Sequence, residues 1–561
     1  MIEFVHANIA PIMFGVVVFF LLSGFPVAFS LAACGLFFGF IGLELGLIPG
    51  ALFQALPLRV FGIMQNDTLL AIPFFTLMGL ILERSGMAED LLDTVGQVFG
   101  PVRGGLALAV IFVGALLAAT TGVVAASVIS MGLISLPIML RYGYSRPIAC
   151  GVITASGTLA QAIPPSLVLI VMADQLGRSV GDMYKGAFIP AFMLVAMYAL
   201  LVIGVAIFKP KLVPALPPEA RTFREPDGSS GMRSLTVFAI AVTTLSVLFS
   251  YYYGPLMSAL QGREITPALD ETIVVGLTVG TVVALTAAGL NKLFKLGLLS
   301  RIAERVTFVL IPPLALIFLV LGTIFLGVAT PTEGGAMGAI GALIMAVGRR
   351  KLDFATLRQA LESTTKLSVF VLFILIGSTI FSFIFTAVDG QVWVEHLFDQ
   401  LPGGQLGFLI FVNTVIFFLG FFLDFFEIAF ILIPLLAPVA DKMGIDLIWF
   451  GVMIALNLQT SFLTPPFGFA LFYLRSVAPV SAYLDRLTNQ RIAGIKTVDI
   501  YRGSVAFVAI QVFMIGLVIA FPQLVTGGLD AKVDVDLDTI RIEAPPSDGG
   551  GWGDNSADPW K

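Results

Sequence analysis

Gly157-Thr-Leu-Ala-Gln-Ala-Ile-Pro-Pro165 and Leu463-Thr-Pro-Pro-Phe-Gly468 decide how the rest of this chain is read. Each Pro pair, Pro164-Pro165 and Pro465-Pro466, is preceded by a lone Pro 27 residues earlier (Pro137, Pro438) and a Gly 21 residues earlier (Gly143, Gly444), so the two patterns are offset by a constant 301 residues. Five Pro pairs occur in the chain, and a pair alone says little. The spacing carries the argument, because each of these two pairs interrupts an apolar stretch that would otherwise read as a membrane span. Broken hydrophobic segments at matching positions of two halves point to the binding site of a secondary transporter.

Composition agrees. The 561 residues are 58% hydrophobic and only 12% charged, far outside the globular norm, and many runs reach the roughly 20 residues that a helix needs to cross a bilayer. Cys34 and Cys150 lie far apart in apolar stretches and read as buried free thiols. With His6 and His396 the only histidines, a His-based zinc cluster or HExxH helix is excluded, and no transition metal is expected. The chain has no Gly-Lys dipeptide, hence no Walker loop. No nucleic-acid signature occurs. Glu3 and the lack of a basic leader make the segment from about residue 9 a retained span.

Spans are expected near 9–24, 26–47, 68–84, 147–174, 188–208, 236–253, 271–291, 306–328, 334–348, 367–388, 447–474 and 503–525. Two stretches, 104–140 and 405–440, are long for one span and short for two. Re-entrant hairpins with polar tips at Thr120-Thr121-Gly122 and Asp424–Glu427 fit them; two tight ordinary spans are the alternative. With an external N-terminus this layout puts 23 of the 31 Lys and Arg residues on the cytoplasmic side, as the positive-inside rule asks. It also sets the mouth of the first hairpin (Arg141, Arg146) inside and that of the second (Asp441, Asp446) outside, so the repeats are inverted. The last residues, from about 527, are acidic and Gly-rich and cannot build a core. The linker 209–235 is Pro-rich and polar, and 476–502 reads as an amphipathic surface helix.

A helix broken within the membrane frees backbone groups that must find partners. Freed carbonyls suit a hard cation, and helix N-termini suit a carboxylate. Pro165 and Pro466 are expected in the first turn of each second half-helix. Around the first break stand Ser156, Gly157, Thr158, Gln161 and Ser166; around the second, Asn457, Gln459, Thr460, Ser461 and Thr464. Any one of these hydroxyls can equally pack or bond back to its own helix; the clusters as wholes read as a site. Asp424, set in Phe421-Phe-Leu-Asp-Phe-Phe-Glu427, is a costly carboxylate unless a cation compensates it. Glu427 reads as a solvated acid on the return leg. Glu333 either braces its turn or acts at the site.

Here a family resemblance enters. Ala119-Thr-Thr-Gly-Val-Val-Ala-Ala-Ser127, running through Gly132 to Pro137, resembles the first hairpin of the large membrane subunit of TRAP (tripartite ATP-independent periplasmic) transporters. So do Gly157–Pro165, Thr330-Pro-Thr-Glu333, Asp424, Gly444-Ile-Asp446 and Leu463–Gly468, and the likeness covers roughly residues 9–525. It implies an all-α polytopic membrane protein of the elevator type, with two inverted repeats and about 12 spans plus 2 hairpins, in a bacterial inner membrane with both termini periplasmic. It implies import of an organic acid from a soluble periplasmic binding protein, coupled to sodium, beside a small four-helix membrane subunit and with no other cofactor. A stand-alone ion-coupled carboxylate carrier is the alternative, and neither reading is an enzyme.

On that basis residues 1–90 are scaffold of the first repeat and 100–187 its transport hairpin and broken helix. Residues 188–330 are scaffold with an extra pair (236–291), 330–400 scaffold of the second repeat and 404–475 its hairpin and broken helix. An amphipathic linker and last helix fill 476–526, and a disordered acidic tail 527–561. Expected sodium contacts are Thr120, Thr121, Gly122, Ser156, Gly157, Pro164, Asp424, Asn457, Thr460, Ser461, Thr464 and Pro465. Expected substrate contacts are Gln161, Ser166, Gln459 and Gly468. Val123 and Val124 stand where the family has small hydroxyl residues, and the segments 236–253 and 271–291 are additions to its pattern.

Overall fold

The computed structural model describes residues 2–220, 225, 229–262, 267, 269–485 and 487–529, and its compact unit ends at Gly528. From residue 530 the expected acidic tail lies outside the described residues, as do 221–224 and 226–228 of the linker.

Among the described residues eight helices are long and apolar enough to cross a bilayer, or up to ten if each of two bent pairs counts as one span. The expected number of about twelve counted segments that are divided here. Leu447–Leu463, at 17 residues, reaches roughly 25 Å at 1.5 Å per residue, short of the roughly 30 Å hydrocarbon layer. Short helices absent from the sequence reading precede the hairpins: Met87–Phe99 before the first and Gly390–Asp399 before the second, the latter bent 116° from Gly404–Leu419.

Both hairpins form. Gly105–Thr121 ends at Gly122, whose φ of +60° turns the chain, and Val124–Arg141 returns. A β-carbon on Gly122 would also press on Leu167 Cγ at 2.9 Å, so glycine answers both the backbone conformation and the contact. In the second hairpin Gly404–Leu419 leads through Gly420–Leu423 to Phe425–Lys442, capped by Asp424.

Both broken helices form as well. Arg146–Thr158 runs through a tight turn at Leu159–Gln161 into Leu167–Gln175, and Leu447–Leu463 resumes as Phe469–Val477. The peptide bonds Pro164-Pro165 and Pro465-Pro466 are both cis. The prolines sit outside the second half-helices, not in their first turns as expected: Ser166 and Gly468 are the N-caps. Proline bars the residue before it from helical geometry, so two in a row hold the chain extended and the helix restarts only after them.

In lipid, helices gain little from burying apolar surface against each other, and close approach of small residues takes over. Gly377 lies against the Ala28 backbone and Gly35 against Phe381, joining Val27–Glu44 to Phe354–Ala387. Gly335 and Gly338 meet Phe74 and Met78, joining Pro331–Gly348 to Ala71–Arg84. Gly151 against Gly503 seats Arg146–Thr158 on Thr497–Ala520. Val180–Phe208 packs on both broken helices.

The additions form a helix pair, Met232–Gln261 and Leu269–Phe294, resting on Arg301–Phe325. A polar seam closes it: Ser246 Oγ donates to the Gly276 carbonyl, Ser250 Oγ to that of Thr272 at 3.2 Å, and the Tyr253 hydroxyl to Glu271 at 2.8 Å. At its base Ser300 Oγ donates to the Gly231 carbonyl at 2.9 Å, and Ser300 N–H to Ser234 Oγ at 3.0 Å.

Residues 478–496 are not the amphipathic helix expected there. Tyr483–Leu484 and Arg491–Ile492 pair as a two-residue antiparallel hairpin, with Asp485 at its turn. Asp485 is buried and accepts from Thr488 N–H at 2.8 Å and Thr488 Oγ1 at 2.7 Å, and from Arg141 Nε at 3.0 Å. Arg141 Nη2 adds a contact at 3.0 Å. These hydrogen bonds, Arg141 first, hold the Asp485 carboxyl well below its usual range, at about 2. Local side-chain bonds of this kind compete with a helical backbone ladder, and Arg141 fixes the loop form from outside.

Candidate functional site

The two breaks meet. The Leu159–Gln161 turn and Leu167–Gln175 pack on Leu447–Leu463, and each hairpin clasps the broken helix that follows it. Gly114 of the first hairpin leaves room for Ser156, Gly157 for Val128, and Gly420 of the second hairpin for Ser461, where a β-carbon would collide with the serine side chain. Gly468 is held as tightly, with Phe462 and Thr464 backbone filling the place of a β-carbon.

The expected polar residues fall into two groups by what their atoms do. Some are satisfied locally. Thr120 Oγ1 and Thr121 Oγ1 both donate to the Leu117 carbonyl at 2.9 Å, and Thr121 also meets Ser127 Oγ at 2.8 Å. Ser156 Oγ donates to Val152 O at 2.6 Å, and Thr464 Oγ1 to Thr460 O at 2.7 Å. Ser166 Oγ donates to the Gln161 carbonyl at 3.0 Å and accepts from Val168 N–H at 3.2 Å, capping the restarted helix. Asn457 Nδ2 reaches the Asn413 carbonyl at 2.7 Å.

The second group has no partner among the described residues. Both side-chain heteroatoms of Gln161 and of Gln459, with Thr460 Oγ1 and Ser461 Oγ, are buried without a hydrogen bond. Buried amides and hydroxyls are almost always paired, and an unpaired one costs about 1–3 kcal/mol. Four such side chains at two facing breaks mark a place where polar groups wait for something. The breaks differ in access: Gly157 through Ser166 is buried throughout, while Pro466 and Phe467 are exposed.

Asp424 lies at the tip of the second hairpin, where the neighbouring Phe421 and Phe422 rings pack on Phe467 of the second break, 5.9 and 5.7 Å between ring centres. It is the N-cap of Phe425–Lys442 in a capping box with Glu427, which is partly exposed and adds a capping role to the solvated acid expected there: Glu427 Oε2 accepts the Asp424 N–H at 2.9 Å. Glu333 forms the same box with Thr330, and Thr332 Oγ1 donates to the Asp67 carbonyl, so Thr330–Glu333 is a built turn.

Two polar residues escaped the sequence reading. Asn413 lies on the outgoing leg of the second hairpin, and its Oδ1 is buried and unpaired. A lone amide in Phe408–Leu419 was the available signal. Glu83, on Ala71–Arg84, takes a hydrogen bond from Ser130 on the first hairpin's return leg while its Oε2 is buried without a partner. The tip of that hairpin also touches Ala71–Arg84, where a β-carbon on Gly79 would lie 2.5 Å from the Thr120 carbonyl.

Comparison with known proteins gives a consistent result. Residues 14–262 and 234–524 match the family described as "Tripartite ATP-independent periplasmic transporter, DctM component". The chain is 28% identical over 471 residues to the C4-dicarboxylate TRAP transporter large permease protein DctM of Rhodobacter capsulatus, covering 82% of this chain and 89% of that protein. To the Pseudomonas aeruginosa protein of the same name it is 26% identical over 425 residues, 76% of this chain and 81% of the other. To the sialic acid TRAP transporter large permease protein SiaM of Vibrio cholerae it is 25% identical over 461 residues, 82% and 88% of the two chains. With its apolar spans, paired hairpins and facing helix breaks, this chain belongs to the DctM family of TRAP transporter large permeases.

Proposed function

We propose that the chain is the permease of a sodium-driven importer of an organic acid, resident in a bacterial inner membrane. The acid is handed over by a periplasmic binding protein, and a small four-helix membrane subunit completes the complex. The observation that carries this reading is the set of buried, unpartnered atoms of Gln161, Gln459, Thr460 and Ser461 at two facing helix breaks. Amide N–H groups there suit a carboxylate, and the carbonyls freed by each break suit sodium. Ser156, Thr464 and the hairpin tips at Thr120–Gly122 and Asp424 supply further oxygens, since a hydroxyl that donates to a carbonyl keeps lone pairs for a cation.

The hairpins re-enter the membrane from opposite faces, and the two halves are inverted repeats. Residues 100–187 and 404–475 then move as one body against 1–90 and 330–400, carrying the site across as an elevator. Relatives named for C4-dicarboxylates and for sialic acid support a carboxylate as cargo.

Reconstituting this chain with its binding protein and small subunit in liposomes under an inward sodium gradient tests the proposal. Uptake of labelled organic acid should need all three proteins, should collapse with a sodium ionophore, and should ignore ATP. Robust uptake by the chain alone would make it a stand-alone carrier, and uptake that survives collapse of the gradient would exclude sodium coupling.

A further inference from the structure

A second polar cavity lies away from the two breaks. It is open to solvent and has a volume of about 460 Å³, within the range of small-molecule sites. Its walls come from two groups of elements. Arg59 on Leu56–Met64, with Ser382, Phe383 and Thr386 on Phe354–Ala387, forms one side; Gln175 of the first broken helix and Pro434 of the second hairpin form the other. In the proposed elevator those sides are scaffold and moving body, so the cavity sits on the sliding boundary.

Arg59 is the cation of this cavity, and its side chain is exposed. Among the described residues no carboxylate comes within ion-pairing distance of its guanidinium. Asp174, beside Gln175, is already engaged: its oxygens accept from Asn66 Nδ2 at 2.7 Å and Gln175 Nε2 at 2.8 Å. The guanidinium is instead held 5.3 Å from the centre of the Phe383 ring. A guanidinium resting on a ring still has an N–H fork, which a carboxylate takes in bidentate fashion. The other polar groups on the wall are neutral. Ser382 Oγ is buried without a partner, and Thr386 and Gln391 add a hydroxyl and an amide.

One unpaired cation surrounded by hydroxyls and amides is not a match for two carboxylates. A dicarboxylate placed here would find one cation on the wall for its two charges. A ligand with one carboxylate and several hydroxyls satisfies the same wall completely. We propose that this cavity is an entry subsite for a hydroxylated monocarboxylate, a sugar acid, with Arg59 taking the carboxylate and Ser382 reading a hydroxyl. This rests on the organic-acid reading above and names the class of acid.

The test uses the purified chain in discs of zwitterionic lipid, with D-gluconate, succinate and neutral D-glucose as probes and calorimetric titration as the readout. Wild type should bind gluconate about tenfold or more tightly than succinate, and glucose not measurably. Arg59→Gln should weaken gluconate binding about tenfold to a hundredfold, the worth of a charge-assisted hydrogen-bond pair. Arg59→Lys should fall between, and Ser382→Ala should lose less than Arg59→Gln. Unliganded melting temperature and elution profile equal to wild type confirm folding, and the Lys variant keeps the comparison usable if the Gln variant is unstable.

Equal gluconate affinity in wild type and Arg59→Gln, or a preference for succinate, overturns the subsite while leaving sodium-driven organic-acid uptake intact. Gluconate binding that disappears when phosphatidylglycerol is added to the discs would make the cavity a lipid-headgroup site and also overturn it. Failure of the full complex to take up any organic acid under a sodium gradient would instead remove the broader function.

Discussion

Glu427 Oε2 accepts the backbone N–H of Asp424 at 2.9 Å, and Asp424 Oδ1 accepts that of Phe425 at 2.7 Å, so the two acids brace one turn at the tip of the second hairpin. Either acid therefore has a structural duty, and a variant must preserve the cap to reveal anything else. Asp424→Asn does so, because Asn caps a helix about as well as Asp. We expect this variant to insert and melt like wild type, while the sodium concentration for half-maximal uptake rises about tenfold, as it would for one lost charge contact of roughly 1.4 kcal/mol. Glu427→Gln keeps an acceptor for the Asp424 N–H and should shift the sodium requirement less, whereas Glu427→Ala should lose about 1 kcal/mol of stability. An unchanged sodium requirement in Asp424→Asn with a dead Glu427→Gln would reverse the assignment.

The unpaired glutamines give a cleaner separation of stability from function. Replacing Gln161 or Gln459 with Met keeps the volume and removes an unsatisfied amide. Each variant should melt at or above wild type, by up to about 1–3 kcal/mol, while uptake falls at least tenfold. A variant that loses stability along with activity would show that these amides are paired in the resting protein. Thermal unfolding in detergent and uptake by the reconstituted complex supply the two readings.

Acid should loosen the loop after the second broken helix. Asp485 is held at about 2 by Arg141, against an ordinary value of 3.8. A depressed carboxyl contributes stability at every pH above its ordinary value and loses it as pH falls toward the depressed one. Asp485→Asn should therefore cost about 1–3 kcal/mol at neutral pH, and the gap from wild type should stay constant down to about pH 4 and close toward pH 2. A gap that is already shrinking at pH 6 would mean that another group carries the effect.

Topology can be read with single cysteines at Tyr142 and Met443, positions separated by the same 301 residues as the repeated prolines. Both side chains are partly exposed, whereas their neighbours Tyr144 and Ile445 are buried. With Cys34 and Cys150 replaced, a membrane-impermeant maleimide applied to intact cells should label the second position and not the first. Labelling of both would exclude inverted halves.

What the sequence disclosed and withheld follows from which forces act over short range. Proline and glycine act on the residue next to them, so the breaks at Pro164-Pro165 and Pro465-Pro466 and the turn at Gly122 were legible, and so were the hairpins between them. The exact restart of each helix was not, because it depends on whether Ser166 or Gly468 can cap, which is decided by the folded loop. Met87–Phe99 and Gly390–Asp399 are too polar to announce a span and were passed over. The error at 478–496 has a long-range cause: Asp485 answers to Arg141, 344 residues away in sequence. The polar residues around the breaks could be picked out by type and position, but their hydrogen-bonding states were hidden. Nothing in the order of residues separates Ser156, bonded to its own helix, from Ser461, which has no partner among the described residues.

The hydrogen bond from Ser300 to Gly231 means that the added helix pair leaves and rejoins the rest of the chain at one point. A segment whose two ends already touch can be excised and the cut closed with a short bridge, but doing so would also bare the face of Arg301–Phe325 that the pair covers. The pair is thus joined in sequence at one doorway and in packing along a whole helix.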